Sequence, residues 1–297
     1  IKPEEVLYYV EAMIRLFMAE GDYENKGKAR TRYIVKRMGE AAFLECYKKH
    51  LEAVRSNCQF EGVEAIVVTP VDEVEETGNA FILPQRQKGR YVVVLHPICG
   101  QLLLEDGDEI QKMIEDLPEA DLRLSMDEAL YVRNLTKDQA ETLFKVMEGR
   151  MMTSNISMSV SCVGTPTCEV GVNQSQTLCR NVIAAVEAAK VDGNRLPQMY
   201  VSGCPNCCAR HASAALGFSG KKVQVNGETK EAFACYIGGK VGVDTTVMVD
   251  SIGTILADKI PEMVVELGQM LEKENKQYTD ALADGSVMAI VDKYFEV

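Results

Sequence analysis

Apolar residues recur at helical spacing over residues 4–20, at Val6, Leu7, Val10, Met13, Ile14 and Phe17, which predicts an amphipathic helix. Gly21 and Asp22 end it, and a polar, basic loop from Glu24 to Arg30 follows. The helical pattern resumes at about Thr31, breaks near Gly39 and runs on to about Arg55, with a boundary over residues 56–61. Beyond that the texture changes. Ala65–Val68 and Tyr91–Leu95 are short and β-branched and predict strands. The acidic run from Asp72 to Glu76 predicts a solvated loop. Asp106-Gly107-Asp108-Glu109 predicts the cap of a helix reaching about Leu117, with Pro118 past its end. Leu122–Leu124 and Ala129–Val132 predict two further strands. Thr136-Lys137-Asp138-Gln139 reads as a capping box opening a helix to about Glu148. Strand–helix–strand–strand–helix is part of a ferredoxin-like α+β sandwich.

From residue 150 the composition shifts to Ser, Thr, Gly and Cys. A helix over 174–190, a strand at Met199–Val201, a Gly- and Cys-rich loop region over 203–222 and a strand at Phe233–Ile237 are expected there. Helices near 262–275 and 284–296 close the chain. This last part echoes the first: Lys259-Ile260-Pro261-Glu262 resembles Ile1-Lys2-Pro3-Glu4, and the segment after Gly285 resembles the one after Gly39. The order and spacing of the two matches predict an internal duplication. Residues 1–57 are then the tail of a first copy, and the chain is the C-terminal part of a larger protein.

With 32 basic and 44 acidic side chains the net charge is −12. That argues against a nucleic-acid partner, which calls for a basic stripe. No apolar run approaches the roughly 20 residues of a spanning helix, and the polar start is no signal peptide, so no membrane partner is expected. Ten cysteines in a chain of this size are clustered rather than spread. They predict a reducing, cytoplasmic setting and a metal or redox role rather than a disulfide framework. Cys162-x5-Cys168 and Cys204-x2-Cys207-Cys208 are the two clusters. Four converging thiolates would make a metal or iron–sulfur site. The five-residue spacing counts against the short knuckles of structural zinc, and loops with Gly and Pro suit a cubane. Spacing alone leaves Cys207 and Cys208 both open as the fourth ligand. Cys46, Cys58, Cys99, Cys179 and Cys235 stand alone and read as small apolar core residues. His96 and His211 are candidates for acid–base work, although single histidines are more often structural. Arg210 is a candidate for holding an anion. The basic loop with Lys26, Lys28, Arg30, Arg32 and Arg37 reads first as a solvated helix face, and second as a surface for an anionic cofactor or an acidic electron donor.

Cys162-x5-Cys168 followed by Ser202-Gly203-Cys204-Pro205-Asn206-x-Cys208 resembles the siroheme and [4Fe–4S] signature of the nitrite and sulfite reductases. Pro97 to Leu135, with Gly100, Leu122-Arg123-Leu124-Ser125 and Leu130, resembles the family's ferredoxin-like half-domain. Glu128 stands where the family often has Gln, and Ser125 where it often has Thr. Lys28-Ala29-Arg30, Tyr33 and Gly39 resemble the end of the first siroheme-binding half, and Gly238-Gly239 also fits. The resemblance implies an α+β protein in three parts. Residues 1–57 are a helical tail of a first half, 58–149 a ferredoxin-like half-domain, and 150–297 an α/β domain for siroheme and the [4Fe–4S] cluster. It implies Cys162, Cys168, Cys204 and Cys208 as cluster ligands, and Cys208 as the bridge to the siroheme iron. Asn206 and Arg210 are placed beside the cofactor. The implied reaction is the six-electron reduction of sulfite to sulfide or nitrite to ammonia. The implied partners are the small anion, the N-terminal half of the same protein, and a donor such as ferredoxin, a flavoprotein or an NAD(P)H-linked subunit. Cys207 replaces the small residue usual between Asn and the bridging Cys. The cations of the family's anion pocket come mostly from the first half. An iron–sulfur electron-transfer subunit and a four-cysteine zinc protein are the competing readings.

Overall fold

The computed structural model describes residues 1–62 and 75–295. The strand expected at Ala65–Val68 and most of the acidic loop at Asp72–Glu76 lie outside them. Cα packing divides the chain into two units, Ile1–Pro70 and Val71–Val297.

The described part of the first unit is helical. A 3-10 turn at Pro3–Glu5 leads into α1 (Val6–Glu20), and α2 (Thr31–Met38) and α3 (Glu40–Asn57) follow. Gly39 joins α2 to α3 at φ 82°, a left-handed conformation glycine adopts without a Cβ penalty. Ala12, Leu51 and Val54 are buried between α1 and α3, ringed by Tyr8, Tyr9, Tyr47 and Phe60. Much of the apolar stripe expected of α1 stays exposed: Leu7, Val10 and Ile14, together with Met18, face outward. The helix buries Ala12 and Leu16 instead.

The second unit opens with β1 (Ile82–Pro84), β2 (Tyr91–Leu95), α4 (Leu104–Ile114), β3 (Asp121–Leu124), β4 (Leu130–Leu135) and α5 (Lys137–Met147). The four strands form an antiparallel sheet in the order β1-β2-β4-β3, with Val93 opposite Val132 and Leu122 opposite Val132 on its other side. Ile82, Val93, Leu95, Ile110, Val132, Leu143 and Met147 fill the space under the helices. The Thr136 capping box is present. Gln139 donates its backbone N–H to Thr136 Oγ1 at 3.3 Å, and Thr136 donates its own to Gln139 Oε1 at 2.8 Å. The other expected cap is displaced. α4 begins at Leu104, so Asp106 lies inside its first turn, 6% exposed, and accepts a hydrogen bond from Arg150 at 2.9 Å. A carboxylate in a first turn is favoured by the helix dipole, and here the arginine adds to that. Asp106→Ala strands the guanidinium and should cost about 1–3 kcal/mol in urea unfolding.

The rest of the unit is a mixed sheet of β5 (Val160–Ser161), β6 (Met199–Ser202), β7 (Leu216–Val225), β8 (Glu228–Ile237) and β9 (Gly253–Leu256), in that order. β5, β6 and β7 run parallel, and β7, β8 and β9 alternate. α6 (Ser175–Ala188) crosses from β5 to β6. It packs on α7 (Ile260–Glu274), whose Ile260, Met263, Val264, Leu267 and Leu271 are buried. α9 (Ser286–Val291), continued by a 3-10 turn at Asp292–Tyr294, stands where the closing helix is expected, and a further short helix, α8 (Tyr278–Ala283), precedes it, the two parted at Gly285 with φ 85°. The loop region expected over 203–222 also ends early, because Leu216 begins a ten-residue strand. Its glycines mark close backbone approach rather than a loop. A Cβ on Gly217 would stand 2.1 Å from His211 O, and one on Gly220 2.3 Å from Gly203 O. β7 turns into β8 through Asn226 and Gly227 at φ 52° and 84°, the positive-φ pair of a tight hairpin. Among the described residues no helix is long and apolar enough to cross a membrane.

Candidate metal centre

The parallel pairing of β5 with β6 decides where the cysteines meet. Ser161 lies opposite Val201, and Cys162, the next residue, donates its backbone N–H to Val201 O at 3.1 Å. Gly203 and Cys204 leave the end of the neighbouring strand β6. Both cysteine loops therefore start at the carboxyl ends of adjacent parallel strands, where α/β sheets place their ligands. The loops are laced together. Val172 and Asn173 donate their N–H groups to Gly203 O at 3.0 and 2.9 Å, and Gly203 N–H points at Cys162 Sγ at 3.1 Å. Such an N–H···S contact favours the thiolate that a metal requires. Ser175, at the start of α6, donates to Cys162 O at 2.6 Å and lies 3.3 Å from Cys162 Sγ. Cys168 sits one turn along, its N–H bound to Gly164 O at 2.7 Å.

Cys204 is buried, Cys162 and Cys168 are half-buried, and Cys208 is exposed at the outer edge. Partial desolvation pushes the Cys208 thiol up, and the neighbouring Cys162, Cys204, Cys168 and Cys207 raise it further. Thiols this close resist ionising together until a cation compensates them. Among the described residues no three His, Cys, Asp or Glu side chains are placed to hold a single metal ion. The donor set is four soft sulfurs on loops with a backbone donor already aimed at one of them, and it fits a cluster in which each iron takes its own cysteine. Cys207 shares the turn at φ 61°, half-buried between the outer two.

The remaining expected residues are distributed differently. Asn206 is exposed at the tip of the turn. Arg210 is not directed at the thiols. Its guanidinium donates to Asp127 Oδ1 at 2.7 Å and to Met126 O at 2.9 Å, and lies 4.9 Å over the Tyr200 ring. His211 is buried, 2.8 Å from Ser202 Oγ, with its ring tilted at 43° against that of Tyr236. Burial lowers its pKa, and burial likewise lowers that of His96. Cys99, Cys179 and Cys235 are core residues as expected, whereas Cys46 and Cys58 are only half-buried. The six cations from Lys26 to Arg37 are exposed on the first unit.

The sequence singles out Glu128 only as standing where the resembled family often has Gln, and places neither it nor Asp127 at the site. Burial raises the Glu128 carboxyl to about 7, and its two oxygens accept the Ser161 N–H at 3.1 Å each. Both carboxylates sit in a hairpin turn distant in sequence, so no local spacing pointed to them.

Residues 1–54 match the family model described as the nitrite and sulphite reductase 4Fe-4S domain. The ferredoxin–nitrite reductase of Synechococcus elongatus is 23% identical over 266 residues, covering 88% of this chain and 50% of that protein. The NADPH sulfite reductase hemoprotein beta-component of Zymomonas mobilis is 24% identical over 276 residues, covering 90% and 44%. The solved structure of the Mycobacterium tuberculosis NirA protein superposes with a TM-score of 0.71 at 18% identity, over 94% of this chain and 52% of that one. The chain is similar to nitrite and sulfite reductases over most of its length. Its α+β fold is shared with that solved structure across nearly the whole chain. The chain spans about half the length of the curated relatives it matches. Within the family model's span the chain has a single cysteine, Cys46. The four clustered thiols thus lie outside that span, and their assignment stands on the geometry of the β5 and β6 loops.

Proposed function

We propose that this chain is the cluster-bearing half of a siroheme- and [4Fe–4S]-dependent reductase acting on sulfite or nitrite. The observation that carries the reading is the meeting of the Cys162 and Cys204 loops at the ends of β5 and β6. Cys162, Cys168, Cys204 and Cys208 hold the cluster. Cys208, the exposed member, would also hold the siroheme, with Asn206 beside it in the same turn. When bound, the two groups supply stored electrons and an open iron for a six-electron reduction of the anion to sulfide or ammonia.

The chain's own residues hold the thiols in place: Gly203 N–H is directed at Cys162 Sγ, and the bonds to Gly203 O hold the Cys204 loop. Arg210 supports the turn through Asp127. Cations for the anion come from the other half of the protein, in keeping with the half-length match and with the open apolar stripe of α1. Electrons come from a ferredoxin or from a flavoprotein or NAD(P)H-linked subunit, as the names of the relatives suggest, and the setting is cytoplasmic or another reducing compartment.

Anaerobic purification of the complete protein tests this. The expected result is about five irons per chain, four from the cluster and one from siroheme, with about four acid-labile sulfides and tetrapyrrole absorption bands. Zinc without sulfide would overturn the reading, and a cluster without tetrapyrrole would make the protein an electron carrier. Cys208→Ser should leave tetrapyrrole bound but abolish its magnetic coupling to the cluster.

A further inference from the structure

The tip of the β3–β4 hairpin touches both cysteine loops. Ser125 Oγ accepts the N–H groups of Asp127 and Ala129 at 3.2 Å each, and Ser125 N–H donates to Ala129 O at 2.9 Å. The turn is therefore closed on itself and holds Glu128 at φ 61°, a conformation a non-glycine residue keeps only where its surroundings impose it. The 3-10 turn at Ile98–Gly100 packs against it so closely that a Cβ on Gly100 would stand 2.9 Å from Glu128 Cβ.

From this fixed turn two carboxylates reach in different directions. Glu128 accepts the N–H of Ser161, the residue before Cys162. Asp127 accepts from Arg210, two residues after Cys208, and Met126 O takes a second bond from the same nitrogen. Arg210 is itself left-handed at φ 57°, with its N–H on Cys207 O at 2.9 Å and its guanidinium over Tyr200. The Arg210 and Asp127 side chains are 22% and 44% exposed, and Glu128 is half-buried. Bonds to charged acceptors so placed are stronger than solvent-exposed ones.

We infer that Asp127 and Glu128 form a two-carboxylate clamp that fixes the separation of the two cysteine-bearing loops, through Ser161 on one side and Arg210 on the other. The ferredoxin-like sheet thereby acts as a gauge for the metal centre. Both carboxylates are positioning residues, since neither touches a thiol. The inference rests on reading the four cysteines as ligands, yet the clamp itself exists without the cluster, and the two are tested separately.

The experiment uses the complete protein as wild type, Glu128→Ala, Glu128→Gln and Asp127→Ala. Amide hydrogen exchange is followed by mass spectrometry in the cluster-free form, on peptides covering 158–164 and 203–212. Cluster absorbance is followed in the loaded form after adding a chelator. Loss of one such bond should speed exchange about tenfold, at 158–164 for Glu128→Ala and at 203–212 for Asp127→Ala. Chelator bleaching should quicken in both. Glu128→Gln keeps an oxygen that accepts the Ser161 N–H and should stay within about twofold of wild type. Unchanged exchange in Glu128→Ala and Asp127→Ala overturns the clamp. So does a Glu128→Gln protein that behaves like Glu128→Ala, because the effect would then lie in charge and not in the hydrogen bond. Should Glu128→Ala fail to fold, the other two variants decide. A wild-type protein lacking iron would sink the proposed function and leave the exchange result standing.

Discussion

Replacing Cys204 with serine is expected to empty the metal centre while leaving the fold in place. Cys204 is the most buried of the four clustered thiols, 6% exposed, and emerges directly from β6. Its loop cannot swing another donor into position, because Gly203 O is already bound by two backbone N–H groups and Gly203 N–H is directed at Cys162 Sγ. A hydroxyl does not ionise at neutral pH and is a hard, poor ligand for iron beside three thiolates. Iron and acid-labile sulfide should fall by an order of magnitude or more. The far-UV spectrum should be kept, since Cys204 is not among the residues of the main apolar cluster around β6, β7 and α7. Cys235→Ser is the matching control. Cys235 is fully buried within that cluster, and burial pushes its thiol up to about 12. It should lose about 1–3 kcal/mol of stability from burying a hydroxyl and keep its iron. If Cys204→Ser retained full iron and sulfide, the four-cysteine assignment would fail.

The ferredoxin-like part was legible because each of its elements carries a local signal. Tyr91–Leu95 is a continuous β-branched run, and Thr136 and Gln139 stand at capping-box spacing. Both signals act within a few residues, so a linear reading finds them. The cap placed at Asp106 failed for a tertiary reason: Arg150, far along the chain, gives that carboxylate its partner inside the helix. In the second sheet β7 was hidden because Gly217 and Gly220 look like loop residues until His211 and Gly203 are seen pressing on them. The hairpin at Asn226-Gly227 did carry a local signal, and β8 begins there rather than at Phe233. At the site, cysteine spacing located the two loops. It did not show that a parallel strand pair joins them, and it gave no sign of Asp127 and Glu128, which lie more than thirty residues before Cys162. Arg210 illustrates the limit of reading charge from sequence. A cation next to a metal motif suggests an anion, but the nearest anion proved to be a side chain of the same fold.

Gly220→Ala should damage the metal centre from behind, without altering any ligand. Gly220 follows Ser219, which lies opposite Ser202 in the parallel β6–β7 pair. An added methyl would meet Gly203 O at 2.3 Å, Gly203 C at 2.7 Å and Asn173 Cβ at 3.0 Å. The first two are backbone atoms and cannot rotate away. Gly203 is also tied by Val172 and Asn173 N–H to its carbonyl and through its own N–H to Cys162 Sγ, so any shift that relieves the clash moves Cys204 and Cys162 together. Overpacking of this kind costs about 1–3 kcal/mol, or more where the neighbour is rigid. Urea unfolding should register that loss, and iron content should fall with it. Gly227→Ala separates the two effects. Gly227 sits at φ 84° with nothing within 4 Å of its added Cβ, so the substitution strains only the hairpin turn, by about 1–2 kcal/mol. It should lower stability comparably and leave iron unchanged. Equal iron loss in both variants would mean that the centre follows global stability, and would remove Gly203 from its supporting role. Iron loss confined to Gly220→Ala would place the control of cluster geometry in the contact between two glycines on neighbouring strands.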